Sequence, residues 1–593
     1  MDKQETANNE VQGTLTQHAM LVAWGLYAQH LGLVERIEQV DMKQKTRQHK
    51  PQSKVLEFLV AILAGLPHLQ DISRSAHPLD QDQMVAEAWG QRGWADYSGV
   101  SRTLQQVSNQ EVEAIVAELN AISQPFIASE MALALQKQGR LVYDGDLTGR
   151  PVSDSSTTYP EATFGYMGDE VSLGYQAAVV SLESPTYGRL WLSNQLYPGD
   201  TVSVTQAQAL VKAAEARTGV RPRRRTELVA MRLGAAEKIA TSADERYAAS
   251  AEQLKMAQQQ QRESNLLLRE WRQEQQTLEA SYAQRGQRST AHDKLAQARR
   301  KVTTYEQRLP RQAEAVAVAE RRLKRHALDF DQAFAEVERL RTHLAQLAQD
   351  NARNPQPIKA IFRLDSGFAS RENIAWLIEM GYEIYSKARS THVQQALAAL
   401  LTPESLWVPV GANATLTAWA ETTVNEAFLY PLDVALARYQ TGETVRHAVF
   451  LHYGEDPVTR DLDGWFHRYN ARQTIEAGIK EGKNIFQMHH LKVRSTEALL
   501  LQEHLASFAA NFVRFALPWL AHKQESTLSL AITSVKQMVQ VCAHASAWVL
   551  RQGPSWLVTF TAQSFYAGCT LRFGSGALQL PLPFFQDIYF SHF

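Results

Sequence analysis

The sequence predicts a mixed α/β (α+β) fold whose sheet-containing core is interrupted by a long helical insertion. Two observations support this prediction. Short apolar runs that favour strands end in aspartate within residues 141–149 and 358–370. Residues 227–351, in contrast, are rich in Gln, Glu, Arg, Ala and Leu and contain almost no strand formers. A chain of 593 residues with 45% hydrophobic content can bury several cores, so we expect three or four domains.

Residues 1–135 have a mostly helical pattern. Residues 55–66 form a nearly continuous apolar run typical of a buried helix, and residues 94–104 combine small residues, a turn and a helix start. Ser and Thr cap helices in any protein, so this second segment does not by itself distinguish a DNA-binding helix from an ordinary one. We assign residues 1–135 to a helical domain.

The first part of the core is predicted at residues 136–226. Residues 141–149 indicate a strand that presents a carboxylate at its end, followed by a turn at Gly149. Asp144 and Asp146 are two residues apart, so both lie on the same face of that strand and either can be the functional acid. Two more strands, at 174–182 and 189–196, precede an amphipathic helix at 203–217.

Residues 227–351 predict an antiparallel helical hairpin. Gly286 divides the segment into halves of about 60 residues, each about 90 Å long if helical. We expect Pro310 to kink or restart the second arm, because proline removes a helical hydrogen bond. This arm is a spacer or a dimerisation element, since its large apolar side chains follow a heptad repeat. Those side chains are Leu323, Phe330, Val337 and Leu344, with Leu340 and Leu347 at the other seam position.

The core resumes at residues 352–390. Residues 358–370 indicate a strand that ends in Asp365, then a turn at Gly367 and a serine, Ser370, that can cap a helix over 371–380. A short strand follows at 382–387. Residues 391–455 predict a small β-rich insertion, and residues 456–593 the third part of the core, with an apolar helix at 495–517 and strands at 571–576 and 578–585.

Four residues near the start of that third part stand at helical spacing: Tyr469, Arg472, Glu476 and Lys483. At about 100° per residue they fall within roughly 60° of one another on a helix. One helical stripe would therefore carry an acid together with three groups that can contact phosphate.

The spacing Tyr-x2-Arg-x3-Glu-x6-Lys resembles the YREK signature of the DDE transposases of bacterial insertion sequences, in which the Glu completes an Asp-Asp-Glu metal triad. The Asp-x-Thr at Asp146 resembles the first acidic motif of that family, and Asp365 resembles the second. Asp144 would then be a helper beside the site. The order of predicted elements is similar to an RNase H-like core, in which a mixed sheet holds carboxylates around the metals.

This resemblance implies metal-dependent cleavage at the element ends and strand transfer into target DNA. Asp146, Asp365 and Glu476 would hold two Mg²⁺ ions, for which Mn²⁺ can substitute. The resemblance also implies that the N-terminal domain binds the terminal inverted repeats and that a homodimer forms in the paired-end complex. The DNA-binding residues that it implies are Tyr469, Arg472 and Lys483 on phosphates and Trp407 or Trp419 stacked on a flipped base.

Two other functions remain open. One is an RNase H-like nuclease without transposition activity, which terminal inverted repeats beside the coding sequence would distinguish from a transposase. The other is a non-enzymatic coiled-coil scaffold, whose thermal stability Mg²⁺ and Mn²⁺ would leave unchanged.

Net charge, cysteine content and hydropathy restrict the possible DNA contacts, cysteine-based sites and cellular location. The formal net charge of −1 requires that any DNA contact come from local basic patches, for which residues 43–50 and 221–225 are candidates if they are not simply solvated. Two cysteines, Cys542 and Cys569, argue against a disulfide framework and a Cys-based zinc site. The sequence lacks a signal peptide and a run of about 18 apolar residues, so we expect a cytoplasmic protein with no membrane partner.

Overall fold

The computed structural model describes residues 13–44, 48–168, 170–424, 426–524, 534–564 and 566–574. These residues form two compact units. One comprises the described residues up to Pro222 and from Pro357 onward, and the other is Arg223–Gln356. The predicted mixed α/β class is confirmed, as is the long helical hairpin. The predicted strand at 578–585 and residues 45–47 of the first basic patch lie outside the described residues.

The helices, in chain order, are α1 Ala19–His30, α2 Leu33–Glu38, α3 Pro51–Leu63, α4 Asp71–Arg74, α5 Gln83–Ala88, α6 Tyr97–Gln105, α7 Asn109–Gln138, α8 Ser203–Thr218, α9 Thr226–Gln284, α10 Lys294–Ala352, α11 Arg371–Glu379, α12 Thr391–Ala399, α13 Leu462–Asn470, α14 Gln473–Asn484, α15 Thr496–Ala521 and α16 Val535–Gln540.

The strands are β1 Thr14–Thr16, β2 Leu141–Pro151, β3 Thr163–Tyr166, β4 Val171–Ser184, β5 Gly188–Pro198, β6 Ala360–Arg363, β7 Glu383–Ala388, β8 Val408–Gly411, β9 Ala414–Thr422, β10 Leu432–Thr441, β11 Thr444–Tyr453, β12 Ala547–Gln552, β13 Ser555–Phe560 and β14 Thr570–Phe573.

The main sheet is mixed. Its strands are arranged in the order β3-β4-β2-β6-β7-β11-β10-β9-β8, and β5 also pairs with β4. Parallel pairing occurs between β2 and β6 and between β6 and β7, and the other pairs are antiparallel. The strands β8 to β11 of the predicted β-rich insertion therefore continue this sheet, because β11 pairs with β7.

Helix α15 covers the β5 side of this sheet. The side chain of Asn511 accepts a hydrogen bond from the Trp191 amide (2.9 Å) and donates one to the Trp191 carbonyl (2.8 Å), completing the bonding of β5 at a bulge. Phe515 on the same helix stacks on Phe126 of α7, with ring centroids 4.1 Å apart. These contacts fix a rigid backing behind the strands.

A second sheet joins the two ends of the chain. Its order is β1-β12-β13-β14, all antiparallel. The pair Thr14 and Val549 begins the register, and the Ala19 amide at the start of α1 donates to the Ala545 carbonyl at 2.9 Å. The N-terminal helices thus share a unit with the C-terminal strands.

The hairpin consists of α9 and α10, each 59 residues long. Gly286 follows the end of α9 with φ +61°, and Asp293 caps α10 by accepting a hydrogen bond from the Ala296 amide (2.8 Å). The heptad seam closes the hairpin itself, since its members Val337, Leu340 and Leu347 are buried where α10 packs along α9.

Of the two outcomes expected at Pro310, a kink or a restart of α10, the restart is wrong. The helix runs unbroken from Lys294 to Ala352 with Pro310 inside it. Pro310 is exposed, so its ring lies away from α9 and the carbonyl that loses its partner faces solvent. Packing along α9 on both sides of the proline offsets the cost of the missing hydrogen bond.

Candidate active site

Strand register places the two aspartates side by side. In the parallel pair β2–β6, Asp144 is opposite Arg363, the last residue of β6. Asp146 and Asp365 each come two residues after this last pair. Because side chains alternate between the two faces of a sheet, both lie on the face that carries Asp144 and Arg363. The sheet thus brings together two acids that are far apart in sequence.

Asp146 does not end its strand, contrary to the sequence prediction. Strand β2 continues to Pro151 and pairs with β4 as far as Gly174, so the predicted turn at Gly149 is also strand. The partner on the other side, β6, stops at Arg363. The edge of β2 beside Asp146 is therefore left open because β6 ends, rather than because β2 does.

Asp365 lies in the turn after β6. Its Oδ1 accepts a hydrogen bond from the Gly367 amide at 2.9 Å, and a side chain at Gly367 would crowd that same oxygen, with Cβ 3.1 Å away. The predicted cap is confirmed, because Ser370 Oγ accepts from the Asn373 amide at 3.1 Å at the start of α11. This turn holds the carboxylate at the edge of β6.

The prediction of one continuous helical stripe is wrong. Tyr469 lies on α13, Arg472 in the junction, and Glu476 and Lys483 on α14. At the junction the Arg472 amide bonds to the Tyr469 carbonyl (3.0 Å) and the Ile475 amide to the Arg472 carbonyl (2.8 Å), both three residues back. This tighter turn changes the rotation between the helices.

Tyr469 consequently faces the core, with 5% exposure. Its ring lies 5.0 Å from that of Phe450 on β11, edge to face. Burial raises the pKa of its hydroxyl. Tyr469 therefore supports α13 against the sheet, and its predicted phosphate contact remains a prediction.

Arg472 connects two of the predicted acids. Its Nη2 lies 3.1 Å from Asp146 Oδ1, and its Nη1 lies 3.1 Å from Glu476 Oε1. The Arg472 side chain is 6% exposed, whereas that of Glu476 is 50% exposed. Burial raises the pKa of Asp146 to about 6 against the opposing charge of Arg472, and Asp365 and Glu476 raise it further. The three acids are thus close enough to influence one another.

Helix α14 approaches the sheet through a glycine. A Cβ on Gly478 would lie 2.1 Å from Arg189 Nη1 and 3.0 Å from the Trp191 ring on β5. The Arg189 guanidinium itself stacks over Trp191 at 5.8 Å. A side chain at this position would require the Arg189 guanidinium or α14 to shift, so the glycine allows α14, which carries Glu476, to approach β5 closely.

Lys483 lies two turns after Glu476 on the same face of α14, half-buried near a charged pair. Arg150 and Glu503 form this pair, with Arg150 Nε 3.1 Å from Glu503 Oε1, and both side chains are at most 2% exposed. Burial lowers the pKa of Lys483, Arg150 lowers it further, and Asp146 and Glu503 act in the opposite direction. Lys483 therefore belongs to the same neighbourhood as Asp146.

Lys387 is a site residue that sequence reasoning missed. In the parallel pair β6–β7, Arg363 is opposite Tyr385, so Lys387 is level with Asp365 on the same face. Its Nζ lies 4.8 Å from the centroid of the Tyr469 ring, a cation–π contact. The ammonium is thereby held beside the acids.

The electrostatics of Lys387 agree with this position. Burial lowers its pKa and Arg472 lowers it further, whereas Glu476 and Asp365 act in the opposite direction. The only signal in the sequence is a lysine two residues after Tyr385 in a short strand, and it becomes informative once the pairing of β6 with β7 is known.

The two tryptophans lie on the extension of the sheet. Trp407 precedes β8, and the Arg438 guanidinium stands 4.8 Å from its ring. Trp419 lies on β9 opposite Val434. Both rings are partly buried, and base stacking by either remains a prediction.

The basic patch at 221–225 is in part structural. Arg224 is 1% exposed, and its Nε lies 3.0 Å from Asp350 Oδ2 at the base of the hairpin. Its backbone amide also donates to the Asn351 side chain at 2.7 Å. Arg224 therefore stabilises the hairpin rather than contributing a free cation for DNA.

The chemistry of the three carboxylates suits Mg²⁺ or Mn²⁺, which prefer oxygen ligands. Within the described ranges, however, no group of three or more His, Cys, Asp or Glu side chains is arranged to hold a metal ion. The guanidinium of Arg472 instead pairs with both Asp146 and Glu476. The donor types fit the ion, but their present positions do not form a finished metal site.

No protein-family model matches the chain, and none of the curated protein sequences is significantly similar to it. In the part of the chain that the structure describes, no helix is both long and apolar enough to cross a membrane.

Proposed function

We propose that this chain is a DDE transposase of a bacterial insertion sequence, with an RNase H-like core. The observation that carries the proposal is the convergence of Asp146, Asp365 and Glu476 from three separate segments onto one face of a mixed sheet. Strand register brings the aspartates together, and Arg472 ties Glu476 to Asp146.

The strand arrangement supports an RNase H-like core. The strands β5-β4-β2-β6-β7 are neighbours in that order, with parallel pairing confined to β2-β6-β7. The acids come from β2, from the turn after β6 and from the helix α14, which packs on the same sheet. This is the distribution that the resemblance implies.

Each side chain has a role in the proposal. Asp146, Asp365 and Glu476 would hold two divalent ions, which would supply activation of the attacking oxygen and stabilisation of the leaving one. Lys483 and Lys387 offset phosphate charge on either side of these acids. Arg472, with its forked donors, holds a phosphate oxygen when it is not paired with Asp146.

The test uses a DNA duplex that carries the inverted repeat flanking the coding region. The parent protein should cut it with Mg²⁺ and not with EDTA. Asp146→Ala, Asp365→Ala and Glu476→Ala should each lose cleavage at least a thousandfold while keeping the mobility-shift affinity, because phosphodiester cleavage needs the acids and binding does not. The exposed acid Glu404 provides the control, as Glu404→Ala should cut normally.

Three results would count against this proposal. Cleavage retained by Asp365→Ala would remove that residue from the site. Hydrolysis of the repeat by the parent protein, without strand transfer into a plasmid, would favour the RNase H-like nuclease. An absence of cleavage together with a melting temperature that does not respond to Mg²⁺ or Mn²⁺ would favour a non-enzymatic scaffold.

A further inference from the structure

Positive charge is concentrated in the outer half of the helical hairpin. Residues 262–325 contain fifteen Lys and Arg against eight Asp and Glu, a net charge of +7. The whole chain has a net charge of −1, so the remaining residues sum to −8. A neutral protein thus contains one strongly basic segment.

Most of this charge belongs to α10. Its first 32 residues, 294–325, contain ten Lys and Arg and three Asp and Glu. Residues 262–284 of α9 contain three Lys and Arg and four Asp and Glu. All fifteen basic side chains of the outer half are exposed. The basic surface therefore follows one helix for about 48 Å.

Three arginines form a row on this surface. Arg300, Arg311 and Arg322 are eleven residues apart, about 16 Å along the helix, and fall within roughly 40° of one another. Arg300 lies on the side opposite Ala298 and Val302, which are buried towards α9, whereas Arg322 at the other end of the row lies beside α9. The row spans about 33 Å, close to one turn of B-form DNA.

Few of the basic side chains are neutralised within the hairpin. Ion pairs join Arg272 to Glu306, Arg299 to Glu279 and Arg321 to Glu314. Among the described residues, none of the three arginines in the row has an acidic partner, although Arg322 donates a hydrogen bond to Gln253 at 3.0 Å. A solvated helix needs no such excess of unpaired cations, and like charges at this density repel one another.

We propose that this arginine row of α10 binds the phosphate backbone of duplex DNA without regard to sequence. The inference deepens the proposed function, because it assigns DNA contacts to the hairpin. It rests on that function for the identification of DNA as the polyanion. Sequence-independent binding follows because phosphate contacts carry no base information. Counterion release supplies the affinity.

The test compares two full-length variants that lose the same charge. In the first, Arg300, Arg311 and Arg322 are all changed to Gln. In the second, Lys238, Arg246 and Lys255, exposed residues of the inner half of α9, are changed to Gln. Fluorescence anisotropy measures binding to a 30-base-pair duplex of random sequence from 50 to 200 mM salt.

The arginine variant should bind at least tenfold more weakly at 100 mM salt, and its slope of log affinity against log salt should fall by about 2.7, since three phosphate contacts are lost. The α9 variant should stay within about twofold of the parent. Equal weakening of both variants, or no weakening of either, would overturn the inference. Tighter binding of single-stranded DNA than of duplex would overturn the choice of duplex.

The two proposals fail separately. A parent protein that does not cut the flanking repeat, but whose random-duplex affinity depends on the arginine row, loses the proposed function and keeps the DNA-binding arm. A parent protein that cuts normally, with an unchanged affinity in the arginine variant, keeps the function and loses the arm.

Discussion

Arg472 Nη2 and Asp146 Oδ1 lie 3.1 Å apart in a setting where the Arg472 side chain is 6% exposed and that of Asp146 13% exposed. The pair joins the junction before α14 to the middle of β2. Because the same guanidinium also reaches Glu476, one side chain determines the spacing of two acids. The arginine is thus a positioning residue as well as a candidate phosphate ligand.

Replacing Arg472 with Lys should separate these functions. Lysine keeps the charge but has one donor group where the guanidinium has a fork, so it cannot span Asp146 and Glu476 together. We expect the single-turnover rate of cleavage of the flanking repeat to fall about tenfold to a hundredfold. The affinity for the repeat, measured by mobility shift, should stay within about threefold of the parent. Equal rates for Arg472→Lys and the parent would mean that a point charge suffices.

Gly478→Ala should displace α14. The new Cβ would meet the buried Arg189 guanidinium at 2.1 Å and the Trp191 ring at 3.0 Å, and we expect α14 to move away from β5 and carry Glu476 with it. We expect a loss of about 1–3 kcal/mol in the free energy of unfolding and about a hundredfold in cleavage rate. Urea denaturation and the cleavage assay measure these changes.

Gly234 provides a matched control, because it is also helical, on α9, but a Cβ added there would have no neighbouring atom within 4 Å. Gly234→Ala should leave cleavage unchanged and stabilise the hairpin by about 0.5–1 kcal/mol through the better helix propensity of alanine. Normal cleavage by Gly478→Ala would show that α14 tolerates the extra atom.

Asp144 should matter for stability rather than for metal binding. It is 1% exposed, and both its oxygens bond to Arg363, at 2.6 and 2.8 Å. Asp144→Asn removes the more buried of the two carboxylates that pair with the Arg363 guanidinium, Glu183 being the other, and should cost about 3 kcal/mol in urea denaturation. Glu455→Gln breaks an exposed pair of similar length with Lys359 and should cost under about 1 kcal/mol.

The choice between Asp144 and Asp146 is then measurable. A folded Asp144→Ala protein without cleavage, beside an active Asp146→Ala protein, would transfer the catalytic role to Asp144.

Glu57 should make stability fall as pH rises. It is fully buried on α3, one oxygen accepts from the Ala95 amide at 2.9 Å, and burial raises its pKa to about 9. Between its unfolded value near 4.5 and about 9 the folded protein holds a proton that the unfolded chain has lost. Stability is therefore complete at low pH and declines as pH rises through this window, by at most about 1.4 kcal/mol per pH unit.

Glu57→Gln removes the titration and keeps the acceptor, so its melting temperature should decline less between pH 6 and 9 than that of the parent. Scanning fluorimetry at four pH values measures this difference, with Glu404→Gln, an exposed position, as the control. Parallel curves for Glu57→Gln and the parent would show that Glu57 is not protonated in the folded protein.

Removing the hairpin should leave the sheet-containing unit folded. Pro222 and Ile358 form a parallel bridge, and the Ile358 amide donates to the Arg221 carbonyl at 3.3 Å, so the chain leaves and rejoins this unit at neighbouring points. Replacing 223–356 with a short Gly/Ser linker should preserve one cooperative thermal transition, measured by circular dichroism. Aggregation or loss of the transition would show that the sheet requires the hairpin.

The amino-acid sequence by itself determined the local features of this protein. Heptad spacing and Gly286 predict the hairpin, Ser370 predicts the start of α11, and the apolar runs around 141–149 and 358–370 predict the strands that carry the aspartates. These features depend on contacts between residues close in sequence, or on periodicity within one element, and a single sequence contains that information. The residue types of the YREK spacing also come from the sequence alone.

Tertiary structure decided the remainder of the site. The open strand edge beside Asp146 depends on where β6 ends, and the position of Lys387 depends on the pairing of β7 with β6. The inward orientation of Tyr469 depends on the tight turn before α14. Pro310 remains inside a helix because α9 packs alongside. Each of these outcomes is set by a partner segment distant in the chain, whose register and packing no local pattern specifies.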